Sequence, residues 1–134
     1  MWKRIVAGLF ALALVLGLVT LFAVEGQEVV VLRTKTPEGD VRRTRIWIAE
    51  EDGVVWIEAA DPERKFYADI GADPDVEIER GGEIDLYRAD PQPGPEGHAK
   101  IRDLLRRKYG WADQWVGAIV DTSRSIGIQL DPRS

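Results

Sequence analysis

The chain has 134 residues, which is one domain at most on the usual scale of roughly 100 to 200 residues per domain. It has 23 acidic and 18 basic residues and a formal net charge of −5, which argues against a nucleic-acid partner, because phosphate neutralisation needs a basic surface. The chain contains no cysteine and one histidine, His98, so disulfides, thiolate nucleophiles and multi-histidine metal sites are excluded. The composition therefore predicts no metal site.

Residues 5–24 form an apolar segment of bilayer length, IVAGLFALALVLGLVTLFAV, without a charge. At 1.5 Å per residue, a helix of this length matches the hydrocarbon core of about 30 Å. A signal peptide cleaved after Gly26 is the alternative, but the apolar stretch of such peptides is normally about 7 to 15 residues long. We predict a single-pass membrane helix over residues 5–24, within an anchor at 1–27 that precedes a second domain at 28–134.

Basic residues on both sides of this segment bear on its orientation. Lys3, Arg4 and the amino terminus flank one end, which favours a cytoplasmic N-terminus and an external domain. Arg33 and Lys35 act in the opposite sense, since they lie within roughly 20 residues of the other end. The sequence slightly favours an extracytoplasmic domain, but the basic residues on both flanks leave the side of the membrane open.

Short strands separated by turns follow in chain order from residue 28. β-Branched and apolar runs bounded by Gly, Pro and Asp are typical of antiparallel hairpins. The predicted strands cover residues 28–35, 41–50, 54–60, 76–80, 83–90 and 125–131. Alternation predicts that the following side chains point inward: Ile46, Ile48, Val76, Ile78, Ile84, Leu86, Ile126, Ile128 and Leu130.

Helical segments interrupt the strands at two places. Asp61 followed by Pro62 is typical of a helix start. The Pro- and Gly-rich run at 91–97 is predicted to be irregular, which places His98 beside a loop. The predicted helices cover residues 62–70, 98–110 and 111–120. Because closure removes exposed sheet edges, we expect a mainly β fold with α, a six-stranded antiparallel barrel with two helical inserts.

Arginines cluster where the second strand begins, in the run VRRTR. Side chains alternate across a strand, so Arg42 and Thr44 lie at the barrel mouth if Ile46 points inward. An arginine there offers a planar fork suited to phosphate or carboxylate. A solvated strand end, paired with Glu50 or Glu51, is the alternative interpretation.

Three segments, TPEGDVRRTRIWI, RKFYADIGADPDVEI and LLRRKYGWADQW, combine several features. These are a glycine turn before an arginine-rich strand, an aromatic pair on a short helix followed by Ala-Asp-Pro, and a late helix. In this combination residues 29–131 resemble the split-barrel deazaflavin-dependent nitroreductase and quinone reductase family. The resemblance implies a split β-barrel that binds an 8-hydroxy-5-deazaflavin coenzyme or FMN. It also implies hydride transfer to a quinone, nitro compound or other lipophilic acceptor.

The resemblance further implies which residues would hold the cofactor. Arginines near the glycine turn hold the phosphate in such proteins, which makes Arg42, Arg43 and Thr44 candidate contacts. Lys65 adds positive charge from the short helix, and Tyr67 is expected beside the ring system. With the apolar segment, this describes a membrane-tethered reductase, for which the sequence names no catalytic residue.

A second function, a cofactor-free anchored binding or interaction module, stays open. The family's basic-serine-glycine turn is replaced by residues 37–40, PEGD, whose two acids oppose an anionic cofactor. The expected partners are membrane lipid, through the N-terminal helix, and a small lipophilic acceptor, with no nucleic acid. A homodimer also stays open.

Overall fold

The computed structural model describes residues 1–25 and 28–134, with the side chains of residues 22–25 outside the description. The elements in chain order are α1 (Trp2–Glu25), β1 (Val30–Lys35), β2 (Val41–Ile46), β3 (Ile48–Glu51), β4 (Val54–Ala59), α2 (Lys65–Ala72), β5 (Asp75–Arg80), β6 (Glu83–Gln92), α3 (Pro95–Tyr109), α4 (Trp111–Ile119) and β7 (Ile126–Pro132). The predicted boundary at residue 27 and the alternative cleavage after Gly26 lie outside the described residues.

The described strands form one curled antiparallel sheet, a half-barrel, in the order β2-β1-β5-β6-β7-β4-β3. All six strand pairs of this sheet are antiparallel. The fold is therefore mixed α and β, with seven strands and four helices in the described part of the chain. The predicted antiparallel barrel is confirmed in outline, and its strand number was wrong by one.

The additional strand arises because the predicted strand at 41–50 is divided at Trp47. Before this residue β2 pairs with β1, with Val30 opposite Ile46. After it β3 pairs with β4, with Ile48 opposite Ile57. Since β2 and β3 are the two edges of the sheet, the chain passes at Trp47 from one edge to the other.

Most of the predicted inward-facing side chains are buried or half-buried, but Ile84 and Leu86 are not. They are 51% and 37% exposed. Strand β6 sets Tyr87 opposite Val76 and Asp85 opposite Ile78, so its inward face carries the odd-numbered positions. The apolar alternation of Ile84 and Leu86 is real, but it lies on the outer face of the sheet.

The short helix α2 begins later than predicted, at Lys65 rather than at Pro62. Asp61 does not cap it, because its Oδ1 accepts instead from the backbone N–H of Glu63 at 3.0 Å. The residue at the N-cap position is Arg64, and it makes no side-chain capping hydrogen bond. Phe66 and Ile70 form the buried face of α2, as expected from their spacing.

The Pro- and Gly-rich run at 91–97 is mostly regular, contrary to the prediction, and within it Pro93 and Gly94 alone lie outside a strand or helix. Pro91 pairs with Ile128 as part of β6, and α3 begins at Pro95, where a missing N–H costs the helix nothing. His98 therefore lies within the first turns of α3, half-buried, with Nδ1 2.9 Å from the carbonyl oxygen of Ser125.

Two clusters of buried side chains hold the domain together. One fills the concave side of the sheet beneath α2 and includes Leu32, Ile78 and Ile128. The other joins α3 to β3 and β4, and there the ring of Trp47 stacks on Tyr109 with centroids 4.2 Å apart. The bend between β2 and β3 is thus held from the α3 side.

Candidate ligand-binding pocket

An open pocket of about 400 Å³ lies where the end of β2 meets α2, α3 and α4. This volume is within the usual range for small-molecule sites, about 300 to 1,000 Å³. The pocket is lined by Val29, Thr44, Arg45, Ile46, Trp47, Glu58, Ala60, Arg64, Phe66, Arg102, Leu105, Asp113, Val116, Gly117, Val120 and Thr122. Most of the surface that these residues expose to the pocket is apolar.

Two aromatic rings contribute to the walls of the pocket. Phe66 comes from the buried face of α2, and Trp47 comes from the bend between the two edge strands. Trp47 is held in place by Tyr109, whose hydroxyl donates to the carbonyl of Glu28 at 2.8 Å and accepts from the N–H of Ile48 at 3.2 Å. Burial raises the pKa of Tyr109 to about 12.

A cluster of three charged side chains forms the polar wall. Arg102 of α3 donates from Nη1 to Glu58 of β4 at 2.9 and 3.1 Å, and from Nη2 to both oxygens of Asp113 at 2.7 and 2.8 Å. Burial lowers the pKa of Arg102, but the hydrogen bonds and charges of its two carboxylate partners outweigh burial, and the net effect raises the pKa. The cluster ties β4, α3 and α4 together at the pocket.

Two further arginines, Arg45 and Arg64, line the same pocket. Nε of Arg64 lies 3.5 Å from Oδ2 of Asp61, and its side chain is 49% exposed. Arginine is suited to phosphate because its planar fork donates two parallel hydrogen bonds. Apolar and aromatic walls beside two arginines fit a group that joins a flat ring system to a phosphate, as flavin and deazaflavin coenzymes do.

Of the five predicted cofactor contacts, Thr44 lines this pocket, and the other four are outside its lining. Arg43 lies on the outer face of β2, where it donates to Glu79 at 2.7 Å. Lys65 is exposed at the start of α2, and Tyr67 packs against the core beneath it. The structure therefore places the predicted residues on both faces of β2 and along α2 rather than gathering them at one mouth.

Arg42 is on the inner face of β2, as predicted, but it binds a carboxylate of the protein itself. Its Nε donates to Oδ2 of Asp69 at 2.7 Å, and the same oxygen accepts from the hydroxyl of Thr34 at 2.8 Å. The hydrogen bond to Asp69 raises the pKa of Arg42. Asp69 and Thr34 are both 2% exposed, so Arg42 is the cation that neutralises a buried acid.

No local signal in the sequence indicates the charged cluster, because its members come from three different elements, β4, α3 and α4. Glu58 follows a strand pattern, Arg102 is one of several basic residues on α3, and Asp113 is one acid among many. Their proximity depends on how α3 packs across the sheet. The sequence does offer a signal for Arg45, because this residue directly precedes the apolar pair Ile46 and Trp47, and all three line the same pocket.

Comparisons with known proteins identify the fold. No family model and no curated protein matches the chain. Among solved structures, the chain is similar to an F420-H2-dependent reductase, at 20% identity and a TM-score of 0.57, over 75% of this chain and 92% of the other. It is also similar to a domain-swapped dimer, at 19% identity and a TM-score of 0.59, over 77% of this chain and 79% of the other.

A third similar structure is a protein of Bacteroides thetaiotaomicron assigned to 5-nitroimidazole antibiotic resistance. The identity is 9%, the TM-score is 0.61, and the match covers 81% of this chain and 74% of the other. These neighbours agree with the resemblance found in the sequence. At such identities they establish the fold: the chain is a split β-barrel of the kind found in F420-dependent reductases.

Proposed function

We propose that this chain is a membrane-tethered oxidoreductase that binds a deazaflavin coenzyme or FMN in the pocket and reduces a lipophilic acceptor. The observation that carries this proposal is the pocket itself, in which apolar and aromatic walls lie beside Arg45 and Arg64. The similarity of the fold to F420-dependent reductases supports it. A bound coenzyme of this class would supply the hydride.

Different residues of the pocket contact different parts of such a coenzyme. Arg45 and Arg64 bind the phosphate, and the hydroxyl of Thr44 adds one hydrogen bond. Trp47 and Phe66 contact the ring system and exclude water from it. The Arg102 cluster holds α4 against the pocket. The contacts predicted for Arg42, Arg43 and Lys65 stay a second proposal for the phosphate position, with Tyr67 beside the ring system.

The membrane tether rests on α1. Its stretch Trp2–Leu21 is long and apolar enough to cross a membrane by length and composition, and its side chains are exposed except for the half-buried Val19 and Thr20. Val29, near the end of this helix, lines the pocket. A lipophilic acceptor concentrated in the bilayer would therefore have a short path to the pocket.

Titration of the full chain in lipid nanodiscs tests the cofactor proposal. FMN and the oxidised and reduced deazaflavin coenzyme are added separately, and binding is followed by the absorbance and fluorescence of the ligand. We expect Arg64→Ala to weaken binding by roughly ten- to a hundredfold, as a charge-assisted hydrogen bond of about 1.5 to 3 kcal/mol implies. The neighbouring Lys65→Ala is the matched control and should bind as the wild type does.

The same titration separates the two proposals for the phosphate position. A loss of affinity in Lys65→Ala, with Arg64→Ala unchanged, assigns the phosphate to the residues predicted from the resemblance. If the wild type binds none of the ligands at tens of micromolar, which is weak by ordinary cofactor standards, the reductase proposal is wrong.

A cofactor-free anchored module is the second candidate function. It is favoured by the state of the arginines, because Arg42 pairs with Asp69 and Arg102 pairs with both Glu58 and Asp113. Two of the cations near the barrel mouth are thus used inside the protein. Failure of all the titrations above would support this candidate.

A further inference from the structure

The last helical segment, α4, lies beside the end of α1. The indole Nε1 of Trp115 donates to the hydroxyl of Thr20 at 2.8 Å. Thr20 belongs to the last turn of the apolar stretch Trp2–Leu21. A helix that spans a bilayer with this stretch therefore places Trp115 near one end of the span, at the depth of the lipid headgroups.

The exposed side of α4 carries no charge among the described residues. Trp111 is 49% exposed and Ile119 is 60% exposed. The exposed positions between them are Gln114, Gly117 and Ala118. Asp113, the charged residue of α4, faces the protein, where it is 5% exposed and bound to Arg102. The outward side of α4 is thus apolar or neutral along its length.

The neighbouring helix α3 shows that this is a particular property of α4. Its exposed positions include Asp103, Arg106 and Arg107, as expected for a helix that faces water. Tryptophan is enriched at membrane–water interfaces because its ring is amphipathic. A helix with Trp111 and Trp115 on it, beside the end of a membrane span, matches this environment.

We propose that α4 lies in the interface of the same bilayer that α1 crosses, with Trp111 and Ile119 inserted at the boundary between headgroups and acyl chains. This inference rests on the proposed membrane tether. It adds a second lipid contact, which fixes the orientation of the half-barrel as well as its distance from the bilayer. Continuity with α1 through the Trp115–Thr20 contact favours lipid over a second protein chain as the occupant of this face.

The proposed contact of α4 with lipid bears on the class of substrate, because α4 also borders the pocket. Val116, Gly117 and Val120 of α4 form one wall of the pocket. When α4 lies in the interface, this wall stands at the membrane surface. The acceptor is then a molecule dissolved in the bilayer that enters beside α4, rather than one that arrives from the aqueous phase.

The absence of cysteine from the chain allows a direct test with single-cysteine variants of the full-length protein. Ile119→Cys is labelled with an environment-sensitive fluorophore and reconstituted into phosphatidylcholine–phosphatidylglycerol vesicles. The matched control is Glu38→Cys, in the exposed turn at the far end of β1 from α1. We expect a blue-shifted emission at position 119 and severalfold stronger quenching by lipids that carry a shallow nitroxide than at position 38.

The outcomes distinguish this inference from the tether itself. A label at 119 as open to aqueous iodide as the label at 38, on a chain that resists carbonate extraction, overturns the interfacial helix and leaves the tether intact. Release of the chain by carbonate overturns the tether. Protection from iodide without quenching by lipid nitroxides means that protein covers α4, and it also overturns the assignment to lipid.

Discussion

Arg102 donates hydrogen bonds to both carboxylate oxygens of Asp113, at 2.7 and 2.8 Å. Asp113 lies eleven residues further along the chain, on the next helix. Its other terminal nitrogen binds Glu58 on β4. The side chains of these three residues are 15%, 6% and 14% exposed. One cation therefore pairs with two mostly buried acids in the wall of the pocket.

Removal of Arg102 should destabilise the protein severely. We expect Arg102→Met to lower the free energy of unfolding by about 3 to 5 kcal/mol, because it leaves buried carboxylates without a partner. Arg106→Met, at an exposed position of the same helix, is the control and should change it little. The measurement is denaturant unfolding of each variant in the same detergent.

A triple variant checks the cause of that loss. Glu58→Leu and Asp113→Leu, added to Arg102→Met, replace the charged cluster by apolar side chains. Replacement of a buried ion network in this way is often neutral or stabilising, so the triple variant should recover much of the lost stability. Equal instability of the single and triple variants would show that the packing of Arg102, rather than its charge, supports the fold.

Helix α3 packs so closely on β7 that we expect no side chain to be tolerated at Gly127. A Cβ there would meet the carbonyl oxygen of Gly97 at 2.5 Å. Because this atom is backbone, we expect Gly127→Ala to cost about 1 to 3 kcal/mol of unfolding free energy. Gly71→Ala, inside α2, is the control, because a Cβ added there has nothing within 4 Å. It should raise the free energy of unfolding by about 0.5 to 1 kcal/mol.

Stability at alkaline pH should depend on Tyr109. Its pKa is raised by burial from 10.0 to about 12, so between these values the unfolded chain loses the phenolic proton and the folded chain keeps it. The stabilisation is complete below pH 10 and is lost as the pH rises toward 12. We expect the melting temperature of the wild type to fall more steeply over this range than that of Tyr109→Phe. Parallel curves for the two proteins would contradict this.

The two neighbouring arginines of β2 should differ in their effect on folding. Arg42→Ala leaves Asp69 buried without its cation and should lower the melting temperature clearly. Arg43→Ala, which removes an exposed pair with Glu79, should change it little. Thermal melts of both variants, with and without coenzyme, test this. Reduced affinity in Arg42→Ala with an unchanged melting temperature would assign Arg42 to the phosphate rather than to Asp69.

The sequence was most informative where apolar alternation coincides with burial. In β5 and β7 the side chains of Val76, Ile78, Ile128 and Leu130 alternate, and all of them are buried. The same reasoning misassigned β6, because Ile84 and Leu86 also alternate but lie on the outer face. Periodicity shows that two positions share a face, and only the register against β5 decides which face it is.

Other features depend on tertiary packing and leave no local signal. The run VRRTRIWIAE reads as one strand, and its division falls at Trp47, whose ring stacks on Tyr109 of α3. The phosphate contacts implied by the resemblance centred on Arg42, whose partner Asp69 could be named only once β2 and α2 were placed together. Thr44 was predicted from the sequence and does line the pocket.

Strand β7, the last strand in the chain, is inserted between β6 and β4 in the middle of the sheet. Translation proceeds from the N-terminus at about 5 to 20 residues per second, so β4, which pairs with β3 on one side, gains its second partner only after residues 126–132 have left the ribosome. The apolar helix at the N-terminus emerges long before that. Under the proposed membrane tether, delivery of α1 to the bilayer and completion of the half-barrel are therefore separate events during biosynthesis.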